Sequence, residues 1–120
     1  MSQHSDLLRL RHMLDHAREA EDLARGRSRE DLDADRLLNL SLVRLLEIVG
    51  EAAARVSPEV QERLSGVPWA DIVGLRNRVI HGYDRVDFDI LWDTIRLDLP
   101  PLIARLEDFL SGEVQPLAED

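Results

Sequence analysis

Apolar residues recur along this chain at the spacing of one helix face, and this periodicity constrains the fold more than any other feature of the sequence. Runs of β-branched or aromatic residues are scarce, and no Asn-Gly or Asp-Gly pair indicates a hairpin. A first helix is predicted over residues 5–25, and its apolar face is formed by Leu7, Leu10, Leu14, Ala17 and Leu23. The pattern therefore predicts an all-α fold.

A second helix, predicted over residues 33–56, carries apolar side chains on more than one side. Its main stripe consists of Leu38, Leu42, Leu45, Val49, Ala52 and Val56. A further set widens this stripe, namely Leu37, Leu40, Leu46, Ile48 and Ala53. We therefore expect this helix to lie at the centre of the fold, with Gly50 allowing a close neighbour.

Local signals mark where the next helices begin and end. Ser57-Pro58-Glu59 is typical of a helix start, because it offers an N-cap serine, a first-turn proline and an acid near the positive end of the helix dipole. This short helix is predicted to end near Gly66. Pro68 is predicted to open another helix that runs to about Ile80, with Gly82 as its C-terminal stop.

The last helix is predicted to begin after Asp87, which caps it, and to kink or restart at Pro100-Pro101, because proline lacks the backbone donor. Residues 1–112 are expected to form one helical domain, and residues 113–120 a flexible tail. Four to five helices in a chain of 120 residues favour an antiparallel bundle. A domain of this size leaves much apolar surface near water, so we expect a homodimer.

The sequence shows no feature of a membrane-bound or exported protein. No apolar run approaches membrane-spanning length, and the N-terminus lacks a basic region followed by an apolar stretch. We therefore expect a cytoplasmic protein with no membrane partner. The chain has no cysteine, which excludes disulfides, thiolate nucleophiles and cysteine-based zinc sites.

Residues 76–85 differ in charge from the rest of the chain. The segment holds three arginines and one aspartate, a local charge of 3 − 1 = +2, whereas the whole chain sums to 15 − 24 = −9. An acidic protein does not bind nucleic acid through its general field. Any contact with RNA is therefore expected at a local basic patch such as this one.

The same segment offers the groups that phosphate chemistry without a metal requires. His81 can move protons near neutral pH, and Arg76 can stabilise charge that develops on a phosphate. Asn77, Arg78 and Tyr83 can orient a substrate. A purely structural role is the alternative, because arginine and histidine near a helix end complement its dipole and Tyr83 can be an ordinary packing aromatic.

Arg76 and His81 lie five residues apart, which separates them by about 140° around a regular helix. They cannot both point at one atom from such a helix. Either the helix unwinds near Gly82, or a second copy of the chain completes the site across a two-fold axis.

Two other groups of residues could carry chemistry. His12 and His16 lie four residues apart, a spacing that can bind a metal, but no glutamate follows the first histidine as a metalloprotease helix requires. We interpret them as residues of a polar face. Arg25, Arg27 and Arg29 lie at a helix end that suits cations, and we favour a solvated turn over an accessory RNA contact. No metal or other cofactor is expected.

The segment resembles the Arg-polar-x-x-x-His motif of HEPN ribonucleases, with Arg76-Asn77 and His81 at its fixed positions and Tyr83 where HepT-type proteins carry a tyrosine. Further blocks resemble the same family: Leu46-Glu47-Ile48-Val49-Gly50-Glu51-Ala52-Ala53, Val67-Pro68-Trp69-Ala70-Asp71-Ile72-Val73-Gly74-Leu75, and Asp89-Ile90-Leu91-Trp92-Asp93-Thr94-Ile95 with Asp98-Leu99-Pro100. The likeness spans roughly residues 5–110. One departure is Gly82, which stands where many relatives carry glutamate.

The resemblance implies a HEPN-like helical homodimer and a metal-independent endoribonuclease whose motif lines the dimer cleft. The RNA 2′-hydroxyl would attack the adjacent phosphate, with His81 as general base or acid and Arg76 stabilising the phosphorane. Asn77, with Arg78 beside it, would position the RNA. The chain would be the toxin of a type VII-like HepT–MntA pair, neutralised when an MntA-type nucleotidyltransferase antitoxin transfers AMP to Tyr83. The alternative is a non-catalytic HEPN helical module that binds a nucleotidyltransferase partner.

Overall fold

A computed structural model describes residues 3–81 and 85–119 of the chain, with side chains for residues 4–80 and 85–112. Its elements, in chain order, are α1 (Gln3–Ala24), α2 (Arg29–Ala34), α3 (Arg36–Ala54), α4 (Pro58–Arg63), α5 (Trp69–Val73), α6 (Leu75–Val79), β1 (Ile80–His81), β2 (Arg85–Val86), α7 (Phe88–Asp93), a π-helix (Thr94–Asp98) and α8 (Leu99–Glu119). The predicted all-α fold is confirmed. Its helical segments outnumber the four to five predicted, since several predicted helices are divided.

Two of the predicted helix starts, at Ser57 and Asp87, are confirmed by side-chain caps, whereas the second predicted helix begins at Arg36, after the cap Asp35, rather than at residue 33. The Ser57 hydroxyl accepts a hydrogen bond from the backbone N–H of Val60 at 3.4 Å, with Pro58 in the first turn of α4. The Asp87 carboxylate accepts one from the N–H of Ile90 at 3.0 Å and so begins α7. Each cap satisfies a donor that the helix itself cannot pair.

The helix predicted from Pro68 to about Ile80 is divided at Gly74 and ends one residue early. The N–H of Gly74 donates to the carbonyl of Ala70, which closes α5, and α6 then runs from Leu75 to Val79. The predicted stop, Gly82, lies outside the described residues. The short helix α2 was absent from the sequence-based prediction, although Asp31 accepts a hydrogen bond from the backbone N–H of Ser28 in the manner of a capped start.

The central position predicted for the second helix is confirmed, since α3 packs against α1, α2, α5 and α6. Gly50 is the point of closest approach: a β-carbon there would lie 3.0 Å from the carbonyl oxygen of Ile72. The predicted width of its apolar stripe is wrong at two positions. Leu37 and Leu40 are exposed, at 76% and 49%, because no described element covers that side of α3 near its start.

The irregularity predicted at Pro100-Pro101 takes the form of the π-helix that precedes them. The N–H of Leu99 donates to the carbonyl of Thr94, five residues earlier. In an α-helix the two prolines would leave the carbonyls of Arg96 and Leu97 without donors, so the wider turn falls where the regular pattern cannot continue. The backbone of α8 continues to Glu119, and the flexibility expected of residues 113–120 stays a prediction. No helix among the described residues is both long and apolar enough to cross a membrane.

A buried carboxylate joins the start of α1 to the end of α3. Asp6 is only 3% exposed, and its oxygens accept hydrogen bonds from the N–H and the hydroxyl of Ser57 at 2.9 and 2.8 Å. Because Asp6 lies near the start of α1 and Ser57 just beyond the end of α3, the two helices run antiparallel. This contact fixes their register.

Replacing this carboxylate is expected to destabilise the fold. Asp6→Ala leaves the buried Ser57 N–H without its acceptor and should lower the free energy of unfolding by about 1–3 kcal/mol. Asp15→Ala, at an exposed position of the same helix, is the matched control and should change it by less than about 0.5 kcal/mol. Urea titration followed by circular dichroism measures both, and equal losses in the two variants would contradict the role given to Asp6.

Candidate functional site

The predicted site residues divide between a helix and a hairpin. Arg76, Asn77 and Arg78 lie on α6 with exposed side chains, and His81 is the second residue of β1. Tyr83 lies outside the described residues, as does the side chain of His81. The structure thus gives the backbone path from Arg76 to His81 and the surroundings of the arginines.

The helix ends before it reaches His81. Ile80 has extended backbone angles, φ −105° and ψ 120°, and its N–H makes the last helical bond, to the carbonyl of Arg76. The carbonyl of Val79 instead accepts from the N–H of Asp87 at 2.8 Å, a contact between the two arms of the hairpin. Of the two geometries predicted, unwinding therefore occurs, three residues before Gly82.

Arg76 and His81 do not lie on one regular helix, because α6 ends at Val79 and His81 belongs to β1. The separation of about 140° between Arg76 and His81 assumed a regular helix through both residues, and β1 replaces the end of that helix. The angle therefore no longer argues that a second copy must complete the site. The homodimer stays a prediction, and this backbone geometry does not require it.

The hairpin brings a third arginine to the site. His81 pairs with Arg85 across the antiparallel ribbon, and Ile80 pairs with Val86. The Cα atoms of directly opposed residues in such a ribbon lie about 4.5–5.5 Å apart. Arg85, which has an exposed side chain, therefore belongs to the immediate surroundings of His81.

A carboxylate on α3 holds Arg76. The Nε of Arg76 donates to Oε2 of Glu47 at 3.0 Å, and the Glu47 side chain is 22% exposed whereas that of Arg76 is 64% exposed. Among the described residues no other hydrogen bond engages this guanidinium. The side chain is mostly exposed, and the described residues leave its two terminal nitrogens without a partner, so the ion pair sets the direction of the side chain and engages only one of its donors.

Arg78 is placed by a weaker contact on the other side. One of its terminal nitrogens lies 3.9 Å from a carboxylate oxygen of Asp98 in the π-helix, and both side chains are about two-fifths exposed, at 43% and 44%. An exposed pair at this distance contributes little to stability. Arg78 can therefore turn toward another anion at small cost.

The other residues singled out in the sequence have mainly structural contacts. His16 Nδ1 lies 2.6 Å from the carbonyl oxygen of His12, and the two rings meet edge to face. Arg25 pairs with Asp22, Arg27 with Asp35, and Arg29 with both Asp33 and Asp89. The hydrogen bond that Arg29 donates to the Asp89 carboxylate raises the pKa of Arg29 above its ordinary value. Among the side chains of residues 4–80 and 85–112, no three histidine or acidic groups form a cluster that could hold a metal ion.

The sequence alone did not indicate the roles of two residues near the motif, Glu47 and Arg85. Glu47 lies 29 positions before Arg76, and only the packing of α6 on α3 brings them together. Arg85 was counted in the local charge but was not singled out, because its pairing with His81 depends on a hairpin that the apolar pattern does not show. Arg44 and Glu47 are three residues apart, a spacing that puts both on one face of a helix. This spacing is the sequence feature that indicates a charged face on α3.

Comparison with known proteins identifies the relatives of this chain. The family model described as "Ribonuclease HepT-like" matches residues 13–109. A protein of Caldanaerobacter subterraneus described as a candidate RNase is 36% identical over 104 residues, covering 87% of this chain and 93% of that protein. A protein of Thermococcus cleftensis described as a candidate ribonuclease HepT is 32% identical over 78 residues, covering 65% and 71%. No solved structure gives a significant match.

Proposed function

Because this chain belongs to the HepT-like ribonuclease family, we propose that it is a metal-independent endoribonuclease. The observation that carries the proposal is the presentation of Arg76, whose Nε is held by Glu47 while its terminal nitrogens have no partner among the described residues. His81 follows at the start of a hairpin, opposite Arg85. The backbone thus carries His81 and Arg85 directly across the hairpin from each other, five and nine residues after Arg76.

The chemistry uses the nucleophile that RNA itself carries. The 2′-oxygen attacks the adjacent phosphorus and gives up its proton, the bond from phosphorus to the 5′-oxygen breaks, and that oxygen takes up a proton. The products are a 2′,3′-cyclic phosphate and a 5′-hydroxyl end. His81 serves as general base or general acid in these transfers. Arg76 stabilises the charge on the phosphorane, and Asn77 and Arg78 position the strand.

The same residues give a route to regulation. We place the chain as the toxin of a type VII-like HepT–MntA pair, with Tyr83 as the acceptor of AMP. The tyrosine oxygen would attack the α-phosphate of ATP on a partner MntA-type nucleotidyltransferase and release pyrophosphate. AMP adds negative charge and bulk next to Arg76, Arg78 and Arg85, and it would compete there with the phosphate of RNA.

An exposed apolar surface supports the proposal of a homodimer. Leu37 and Leu40 lie one turn apart on α3 and are 76% and 49% exposed. Gly50 meets Ile72 and Glu47 meets Arg76, so α6 runs antiparallel to α3, toward these two leucines. The apolar surface therefore lies at the end of α3 that the hairpin approaches, and covering it with a second copy would bring two sites together.

The same surface favours one alternative. A non-catalytic HEPN module would use Leu37 and Leu40 to bind a nucleotidyltransferase rather than a second copy. The two proposals differ in what the isolated protein does. A catalyst cleaves RNA by itself, whereas a binding module does not.

We predict RNA cleavage that persists in EDTA and requires two residues. Arg76→Ala and His81→Ala should each lower the rate by at least about 10²-fold, because each removes charge stabilisation or proton transfer from the transition state. Both variants should keep their helical content, since the Arg76 ion pair is exposed and contributes less than about 1 kcal/mol to folding. Arg11→Ala, at an exposed position of α1, should cleave like wild type.

The readout is gel analysis of labelled RNA together with growth of cells that express each variant. Full activity of the His81 variant would refute the assigned chemistry. Absence of cleavage by the folded wild type would favour the binding module.

We predict a dimer at micromolar concentration, measured by light scattering. Leu37→Glu combined with Leu40→Glu should shift the mass to that of a monomer, because it places charges on the apolar surface. Leu8→Glu changes an apolar residue of α1 that is 44% exposed, and it should leave the dimer intact. A monomeric wild type, or dissociation by Leu8→Glu alone, would overturn the proposed interface.

We predict that co-expression with an MntA-type nucleotidyltransferase adds one or more AMP units to the peptide that contains Tyr83. Since Tyr83 is the only tyrosine in the chain, Tyr83→Phe removes every tyrosine acceptor at once. Mass spectrometry should therefore find no tyrosine-linked AMP in that variant. Modification confined to other residues, or an unmodified protein beside a transferase shown to be active, would refute this site.

A further inference from the structure

A groove runs between α1 and α3 on a part of the surface that the motif does not occupy. Two adjoining cavities form it, of about 210 and about 520 Å³, and Arg9 and Arg55 line both of them. The smaller cavity is completed by His12, Arg44 and Glu51. We call this feature, defined by Arg9, His12, Arg44 and Arg55, the α1–α3 groove.

The charge of this groove is opposite to that of the whole protein. Three arginines and two glutamates line the two cavities together, a balance of 3 − 2 = +1 with His12 taken as neutral, whereas the chain carries −9. Its volume of about 210 Å³ is below the range of about 300–1,000 Å³ typical of pockets for drug-sized ligands. The size and sign suit a phosphate with its sugar.

Arg9 brings a guanidinium charge to both parts of the groove, since it lines the two cavities. Its Nε is buried and has no hydrogen-bond partner among the described residues. An anion in the groove would therefore meet the other nitrogens of this guanidinium, which offers five N–H donors in all.

Neighbouring charged residues of α3 link the groove to the site on α6. Arg44, which lines the smaller cavity, lies 3.3 Å from a carboxylate oxygen of Glu51 and 4.0 Å from one of Glu47. Glu47 is the residue that holds Arg76. From Glu47 to Arg55, α3 and its final turn span about 12 Å at 1.5 Å per residue, so a strand at Arg76 can continue into the groove.

We propose that the α1–α3 groove binds backbone phosphates of the RNA strand on one side of the cleaved bond, a role that rests on the proposed ribonuclease function. Arg9 and Arg55 bind phosphate oxygens through paired guanidinium hydrogen bonds. Arg44 lies between the groove and the Arg76 site, close to Glu47. Contacts to phosphates carry no sequence information, so we expect the groove to extend the bound strand without selecting its sequence. An acidic protein carries charge without the spacing of a phosphate backbone and fits less well.

The test uses a 2′-O-methyl oligonucleotide of roughly eight nucleotides, which cannot be cleaved and falls within the usual span of single-strand sites. Binding is followed by fluorescence anisotropy at several salt concentrations. Arg9→Met and Arg55→Met should each weaken binding roughly threefold and reduce the salt slope by about 0.7. Arg11→Met removes the same charge from an exposed position of α1 that does not line the groove, and it should bind like wild type.

Thermal melting shows whether each variant folds. If Arg9→Met unfolds, the binding affinity of Arg55→Met, which changes an exposed residue, tests the groove instead. Wild-type affinity in a folded Arg55 variant, or an equal loss in Arg11→Met, would overturn the groove. Competition by poly-glutamate as effective as that by RNA would assign the groove to an acidic protein segment and likewise overturn it. If RNA cleavage and binding depend on His81 but are unchanged in the Arg9 and Arg55 variants, the groove proposal is refuted and the ribonuclease proposal is not.

Discussion

The way α5 and α6 rest on α3 is the constraint on which the site depends. At Gly50 the carbonyl of Ile72 approaches so closely that a β-carbon would lie 3.0 Å away, and one turn earlier on α3 Glu47 accepts the hydrogen bond from Arg76. Together these contacts set the direction of α6 and the point from which its arginines project. The hairpin then begins directly at the end of α6, which places the backbone of His81 two residues beyond that helix and opposite Arg85.

The arginines of this acidic protein lie in two groups. Those at the end of α1 each pair with carboxylates and secure the turn into α2. Arg76 and Arg44 also pair with acids, but they lie with Arg9 on the side of α3 where we propose that RNA binds. We expect this second group to attract phosphate locally, while the net charge of −9 discourages binding of nucleic acid elsewhere on the surface. RNA affinity is therefore expected to be modest and strongly dependent on salt.

Features encoded in neighbouring residues could be predicted from the sequence, and features created by packing could not. The caps at Ser57 and Asp87 and the central role of α3 follow from adjacent residues and from periodicity. The early end of α6 could not be predicted in this way, because the carbonyl of Val79 accepts its hydrogen bond from the N–H of Asp87, eight residues away. The Glu47–Arg76 pair and the α1–α3 groove likewise join residues from separate helices. The identity of the motif was visible in the sequence, and its surroundings required the fold.

The central claim is that the protein uses the RNA 2′-hydroxyl as the nucleophile. Mass spectrometry of the products, with a DNA strand of the same sequence as a parallel substrate, tests this most directly. The account predicts 2′,3′-cyclic phosphate and 5′-hydroxyl ends from RNA, and no cleavage of DNA, because Arg76 and His81 activate a group that DNA lacks. Products with 5′-phosphate and 3′-hydroxyl ends, or cleavage of the DNA strand, would contradict it.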